Sequence, residues 1–487
     1  MHNLIFALLS IFAGVICGIC TGLCIGIHPN LFLPTVAFLT YEYTLNDNLL
    51  IYFLISWVIS HYFINYIPTA YFGVPDSETA VSVNILQKYV KQGNAHNGIF
   101  ASGLGGLLSV LLSTIIILSL FGVSVVINVI SNNTIDVYSV ISVIYGGLKN
   151  YMAYILSILL ILAILSEKNR LWTIILSIIS GLFGIYTLSI NPSFDITLTL
   201  VFTGMFGIPI LIHNVLFGNF QNKDISKNLN DIYTPKMTFE KESLFNYFYY
   251  SLMGTIGGFF RIIIPAFGGS QINYFLGVFV RKIQNIQFFQ YLQNLLKINN
   301  NSTNNNNNNT NNNNNNNNNN LKSLKNLENF LISQGAIVIS NEMLSIWALM
   351  VIGVGRSGSA QLISNLNVDL ELFKLLGVSL ISAVLSFVLL LKISKIFSNL
   401  LLKTQKNESE KQNGNKISYK KISKYLLFGI VSIITILTFL SQNMLYNIII
   451  FAISIILGLL CLYKNVNTSI LMSYLIYPTI LFYLLNF

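Results

Sequence analysis

Residues 18–29 read GICTGLCIGIHP, and residues 254–265 read GTIGGFFRIIIP. At a separation of 236 positions, Gly18 meets Gly254, Gly22 meets Gly258, Ile27 meets Ile263 and Pro29 meets Pro265. Further on, GVPDSETA at 73–80 and GVGRSGSA at 353–360 align at a separation of 280, with Thr79 opposite Ser359. The separation grows by 44, and an insertion over about 285–328 supplies the excess. The matches keep their order, so the chain reads as two homologous halves. Gly14, Gly18, Gly22 and Gly26 recur at every fourth position. Such a stripe clears one helix face and lets a second backbone approach closely. The Pro that follows each stripe ends or breaks its helix.

Composition sets the medium in which these halves fold. The chain has 487 residues, 54% hydrophobic, with mean hydropathy +0.66. Only 9% of residues are charged, against about 25% for a soluble domain. So few charges cannot cover a water-facing surface. Soluble and secreted classes are excluded, and the expectation is an all-α polytopic protein of the cell membrane. At about 20 apolar residues per span, the chain accommodates about 10–12 transmembrane helices. Apolar runs of spanning length lie at 3–26, 49–67, 98–121, 149–166, 171–190, 196–218, 244–267, 341–363, 372–397, 423–441, 443–463 and 466–487. Residues 68–90 and 329–340 are apolar but too short, or too broken by Gly and Pro, for complete spans. Irregular backbone at membrane depth survives only inside protein or beside a water-filled cavity, so these two stretches are expected to be broken or re-entrant and to line a substrate path.

The domain reading follows. Residues 1–218 form transmembrane repeat 1, 219–243 a polar linker, 244–402 repeat 2, 403–424 a basic loop and 425–487 the C-terminal transmembrane helices. Within 299–320, 19 of 22 residues are Asn. A polar tract of this kind buries nothing and is expected to be disordered. The net charge of +10 sits in loops between apolar runs, as cytoplasmic loops require. No basic–aromatic strip suits nucleic acid, and none is expected as a partner. Four Cys give no disulfide framework. Cys17, Cys20 and Cys24 share helical spacing, read as helix packing, and no metal site is expected. The N-terminus lacks a basic n-region, so the first apolar run is read as a retained helix.

The remaining charges within apolar runs are the functional signal, because an intramembrane charge is costly and marks an ion or substrate route. Asp76 and Glu78 lie in the first polar motif and Arg356 in the second; Arg261 and Glu342 lie in other runs. The planar fork of Arg356 suits a carboxylate, with Ser357 and Ser359 completing the cradle. Asp76 and Glu78 would bind a cation or carry a proton. In the alternative reading Arg356 pairs with Asp76 or Glu78 and locks the halves. Arg261 is read as a side chain that can snorkel to the interface. Repeat-built transporters place broken helices near the midplane, their half-helix ends facing substrate and coupling ion. Pseudosymmetry would bring 73–80 and 353–360 together.

At these motifs the chain resembles the large permease subunit of the tripartite tricarboxylate transporters, especially an archaeal branch of uncharacterised integral membrane proteins. The similar segments are GICTGLCIGIHPN (18–30), FGVPDSETA (72–80), ASGLGGLLSVLL (101–112), LVFTGMFGIPIL (200–211), GTIGGFFRIIIPAFGGSQ (254–271) and VIGVGRSGSA (351–360). The resemblance implies a secondary carrier of carboxylates driven by an ion gradient, Na⁺ or H⁺, with no other cofactor. It implies as partners a small membrane subunit and an extracytoplasmic binding protein. It carries substrate contacts onto Pro29, Asn30, Gly268 and Ser270, and onto Ser77, Thr79, Arg356, Ser357 and Ser359. The family pattern has Pro-Gly where this chain has His28-Pro29-Asn30, and again where it has Pro265-Ala266, which weakens transfer of a citrate-like specificity.

The expected function is ion-coupled uptake of small organic anions, di- or tricarboxylates, by alternating access between two repeats. A homodimer is compatible with it. Two other classes stay open: an intramembrane enzyme, in which Asp76 finds a second Asp, and a passive channel or scaffold. No Ser-His elbow or HExxH pair supports the enzyme, and internal duplication favours a carrier over a symmetric filter.

Overall fold

The structure is a computed structural model. It describes residues 2–24, 47–72, 78–79, 82–91, 94–131, 137–190, 194–217, 241–264, 272–273, 313–355, 357–364, 370–410, 443–485 and scattered positions of 427–438. Every regular element among these is helical. That is the physical consequence of an apolar chain in lipid, where each backbone N–H and C=O must be satisfied within its own segment.

The first half begins with α1 (His2–Leu23), α2 (Asp47–Ile64), α3 (Tyr66–Phe72), α4 (Val83–Lys91) and α5 (Ala95–Ile130). It continues with α6 (Val137–Asn150), α7 (Met152–Ser166), α8 (Arg170–Ile190), α9 (Phe194–Phe202) and α10 (Ile208–Phe217), the last two joined by a π-helical turn at Thr203–Gly207. The second half holds α11 (Lys241–Ile263), α12 (Asn313–Ile352), α13 (Gly358–Ser364), α14 (Leu372–Glu410), α15 (Met444–Tyr463) and α16 (Ser473–Leu485).

Among the described residues eight segments are long and apolar enough to cross a membrane, and nine if α6 and α7, bent by 63°, form one span. The protein is therefore a multi-pass membrane protein. The sequence suggested about 10–12, and the difference has local causes. Run 196–218 is divided among α9, the π-helical turn and α10. Run 244–267 is covered by α11, which carries Lys241, Glu242 and Arg261. Run 423–441 lies largely outside the described residues.

Residues 329–340, expected to be broken, are instead the middle of α12 and belong to the span Leu327–Ile352. Their polar side chains do not break the span, because Ser333, Gln334 and Ser340 are enclosed by other helices and never face lipid. The stretch 68–90 does contain two short helices, α3 and α4, with 73–77 outside the described residues. Helix α12 begins at Asn313, so the end of the Asn tract is helical rather than disordered. Once a packed segment has nucleated a helix, extension costs little. Helix α14 likewise continues through Lys403 and Lys406, taking in the start of the expected basic loop. The linker 219–243 and the rest of the insertion lie almost wholly outside the described residues.

Helices α2 and α12, one from each half, are enclosed, while the other spans turn one face outward. Each central helix is flanked by a glycine-striped helix, and the contacts share a register. A side chain on Gly18 would meet Trp57, Ser60 and His61; one on Gly254 would meet Ser333, Ala336 and Ile337. Each partner in the second half stands 276 residues after its counterpart (333 against 57, 336 against 60, 337 against 61). Gly22 against Ile64 and Gly258 against Ser340 repeat the separation. The halves also clasp one another. Gly105 of α5 lies on the Ile332 carbonyl and Gly335 of α12 on the Ser102 carbonyl, while Ser382 Oγ of α14 donates to Ser56 Oγ of α2 at 2.8 Å.

Candidate functional site

The polar site forms where α12 passes the ends of α3, α11 and α13. Arg261 sits in the last turn of α11. Its Nη1 donates to Glu78 Oε2 at 2.8 Å and its Nη2 to Glu78 Oε1 at 2.7 Å. This is the two-pronged geometry a guanidinium offers a carboxylate. The side chains are 13% and 10% exposed, so water screens the pair only weakly.

The backbone of the first polar motif is fixed from the same side. Gln334 Nε2 donates to the Glu78 carbonyl at 2.7 Å, and Gln334 Oε1 accepts from Asn273 Nδ2 at 2.8 Å. Asn273 Oδ1 in turn accepts from Ser333 Oγ at 2.7 Å. One glutamine at the centre of α12 thereby ties the segment after α3 to the segment after α11. Thr79 closes the other side, its hydroxyl 3.0 Å from that of Thr69.

The second polar motif meets α12 eight residues further along, about 12 Å at 1.5 Å per residue. Gly353, at φ +67°, turns the chain out of α12 in the left-handed region that a Cβ disfavours. The chain then returns, with Ser357 N donating to Ser345 Oγ at 2.7 Å. Ser357 Oγ accepts from Ala360 N at 3.2 Å, which starts α13, and lies 3.1 Å from Ser359 Oγ. Ser359 donates to Glu342 Oε1. Glu342 is fully buried, and its Oε2 has no hydrogen-bond partner among the described residues. Arg261 and Glu78 lie close enough to act on its charge.

Of the residues singled out in the sequence, Glu78, Ser357 and Ser359 bond to this one helix, which itself carries Glu342, while Thr79 stands against Thr69 of α3. Asp76, Ser77, Pro29, Asn30, Gly268, Ser270 and Arg356 lie outside the described residues. Among the described residues the Glu78 carboxylate is engaged by Arg261, so Arg261 is a site residue and not a snorkelling one. Gln334 and Asn273 were missed, because an uncharged amide inside an apolar run carries little signal. Glu342 was visible as an intramembrane charge, but its partner Ser359 is 17 residues away. His61 lies 3.2 Å through Nδ1 from Thr21 Oγ1, which accepts from Trp57 Nε1 at 3.0 Å. That cluster latches α1 to α2.

The site offers a guanidinium, two carboxylates, several hydroxyls and an amide, all enclosed by membrane helices. Such a set suits recognition and release of a charged solute. Comparison with known proteins agrees in class. The family model of the tripartite tricarboxylate transporter TctA family matches residues 8–473. The chain is similar to "Uncharacterized protein MJ1079" of Methanocaldococcus jannaschii, 33% identical over 484 residues, covering 99% of this chain and 100% of that one. No solved structure matches it. A family match across nearly the whole chain, on a polar site buried among spanning helices, establishes that the protein belongs to the tripartite tricarboxylate transporter TctA family and is a multi-pass membrane transporter.

Proposed function

We propose that this transporter is an ion-coupled carrier that takes up di- or tricarboxylates by alternating access between two repeats. The observation that carries the reading is the ion pair of Arg261 with Glu78. It joins residues 183 positions apart at a site enclosed by spanning helices. A buried pair costs much desolvation, so a pair that only held helices together would be a poor use of that position. A pair that exchanges partners with an anion fits better. Ser357, Ser359, Thr79 and Ser77 then cradle the substrate with Arg356, while Pro29, Asn30, Gly268 and Ser270 line its path from the paired Gly/Pro segments. Asp76 and Glu78 stand on the route of the coupling ion, Na⁺ or H⁺. The shared register of the α1–α2 and α11–α12 contacts supports two repeats moving against each other. A small membrane subunit and an extracytoplasmic binding protein complete the system in this reading, and a homodimer remains compatible with it.

Reconstituted proteoliposomes test this. Labelled succinate and citrate are offered under an imposed Na⁺ or pH gradient, with and without ionophores. A carrier accumulates one of them, saturably, and loses accumulation when the gradient collapses. Arg356→Ala should abolish both uptake and the thermal stabilisation that a bound substrate gives. Equilibration without accumulation would point to a channel, and chemical conversion of the solute to an enzyme; either removes the proposal.

A further inference from the structure

Among the described residues of this cluster, Glu342 has a carboxylate that is only half-satisfied. Its side chain is fully buried, Oε1 accepts the Ser359 hydroxyl, and Oε2 has no partner among the described residues. An ionised carboxylate in that position would leave a charged oxygen unsolvated, with the large desolvation penalty of any unpaired buried ion. A neutral carboxylic acid, its proton on Oε2, suffers far less. Among the described residues, the charged groups whose field reaches Glu342 are Arg261 of α11 and Glu78 of the segment after α3. Those two satisfy each other through both terminal guanidinium nitrogens, Nη1 and Nη2, and both carboxylate oxygens. Glu78 therefore has no oxygen to spare for a proton in this conformation, whereas Glu342 does.

We propose that Glu342 is the proton-binding group of this carrier, taking one proton on Oε2 for each substrate anion held at the Ser357 and Ser359 hydroxyls. The inference rests on the carrier reading above and specifies its coupling ion as H⁺. Coupling follows from the shared hydroxyl. Ser359 is bonded to Glu342 and belongs to the substrate cradle, so a substrate carboxylate would sit close to the Glu342 carboxyl. With Glu342 ionised, two negative charges would share that space and repel. With Glu342 protonated, the anion enters. Linkage then requires that substrate raise the proton affinity of Glu342 by the same factor by which the proton raises substrate affinity. A proton taken from the outer solution becomes the acid proton on Oε2, and the same proton leaves to the inner solution as the anion departs.

Two measurements on the full-length protein decide it. Infrared spectra of wild type and Glu342→Gln are compared across pH in the absence of substrate. The C=O stretch of a neutral carboxylic acid should be present in wild type, vanish at alkaline pH, and be missing from the variant. Ser359→Ala should shift the pH at which the band is lost, while Ser364→Ala, an exposed serine, should leave it in place. In proteoliposomes carrying a trapped pH dye, succinate entry should be accompanied by proton entry in wild type, and Glu342→Gln should lose that proton movement entirely. The amide keeps the size of the side chain and its acceptor for Ser359, and the thermal midpoint of the variant reports whether it is folded. Absence of the infrared difference overturns the proton site. Succinate uptake driven by Na⁺ alone, with no proton movement, overturns it while leaving the carrier intact. An infrared band without any carboxylate transport removes the carrier reading, while the protonated Glu342 stands.

Discussion

Arg261 and Glu78 form the pair most exposed to a simple test at the scale of single residues. Their heads are 13% and 10% exposed, so removal of one leaves the other charged in a poor dielectric. Loss of one partner of a buried pair costs about 3–5 kcal/mol, and Arg261→Met should lose close to the lower end of that range. Arg261→Met with Glu78→Leu should recover most of the stability, because neither charge is then stranded. Thermal melting of both purified variants in detergent measures the difference. The double variant should nonetheless fail to accumulate substrate. If it transports as wild type does, the pair is structural only. The sequence exposed half of this arrangement. Glu78, Ser357 and Ser359 stand out because charges and hydroxyls interrupt apolar runs. The partner of Glu78 did not, because nothing local in Arg261 distinguishes a cation facing a carboxylate from one reaching for water. The same limit hid Gln334, whose amide is significant only through the backbone carbonyl it meets in three dimensions.

Helix pairs carry the next level, and the glycine stripe was the most legible feature of the chain. Its spacing implied a close helix contact before any partner was known. The partner helices were not legible, since α2 and α12 are recognised only by where they pack. For α12 a short apolar stretch around Gly335 was expected to be broken where a continuous span runs. A Cβ on Gly254 would stand 2.5 Å from both the Ser333 carbonyl oxygen and Ala336 Cβ. One on Gly18 would meet the corresponding atoms of Trp57 and Ser60. Overpacking of this sort costs about 1–3 kcal/mol. Gly18→Ala and Gly254→Ala should therefore both lower the unfolding midpoint, and by similar amounts if the two contacts are equivalent. Gly122 and Gly146 have no atom within 4 Å of such a Cβ. Alanine there should be neutral, or stabilising by about 0.5–1 kcal/mol from helix propensity. Loss of stability at all four positions alike would show that the register match has no energetic meaning.

For the whole molecule, the proposed alternating access requires motion between two halves that clasp one another. The order of the motifs and the growing separation between them suggested a duplicated chain. They did not convey that the enclosed helix of each half would touch the outer helices of the other. That arrangement appears in the contacts of α5 with α12 and of α14 with α2, which join residues far apart in sequence. Ser56 and Ser382 offer a lock for it. Their hydroxyl oxygens are 2.8 Å apart, so the two side chains point at one another, as the sulfurs of a disulfide must. With all four native cysteines replaced, Ser56→Cys with Ser382→Cys should form a cross-link on oxidation, read as a shift in gel mobility. If transport requires the halves to slide or rock at this contact, oxidised protein should lose uptake, and reduction should restore it. Each single cysteine should transport equally well under both conditions. Substrate binding, read by thermal shift, should survive the cross-link, because one face of the site remains open in a locked carrier. Full transport by the oxidised double variant would mean that α2 and α14 move as one body, and that any alternation of access takes place elsewhere in the fold.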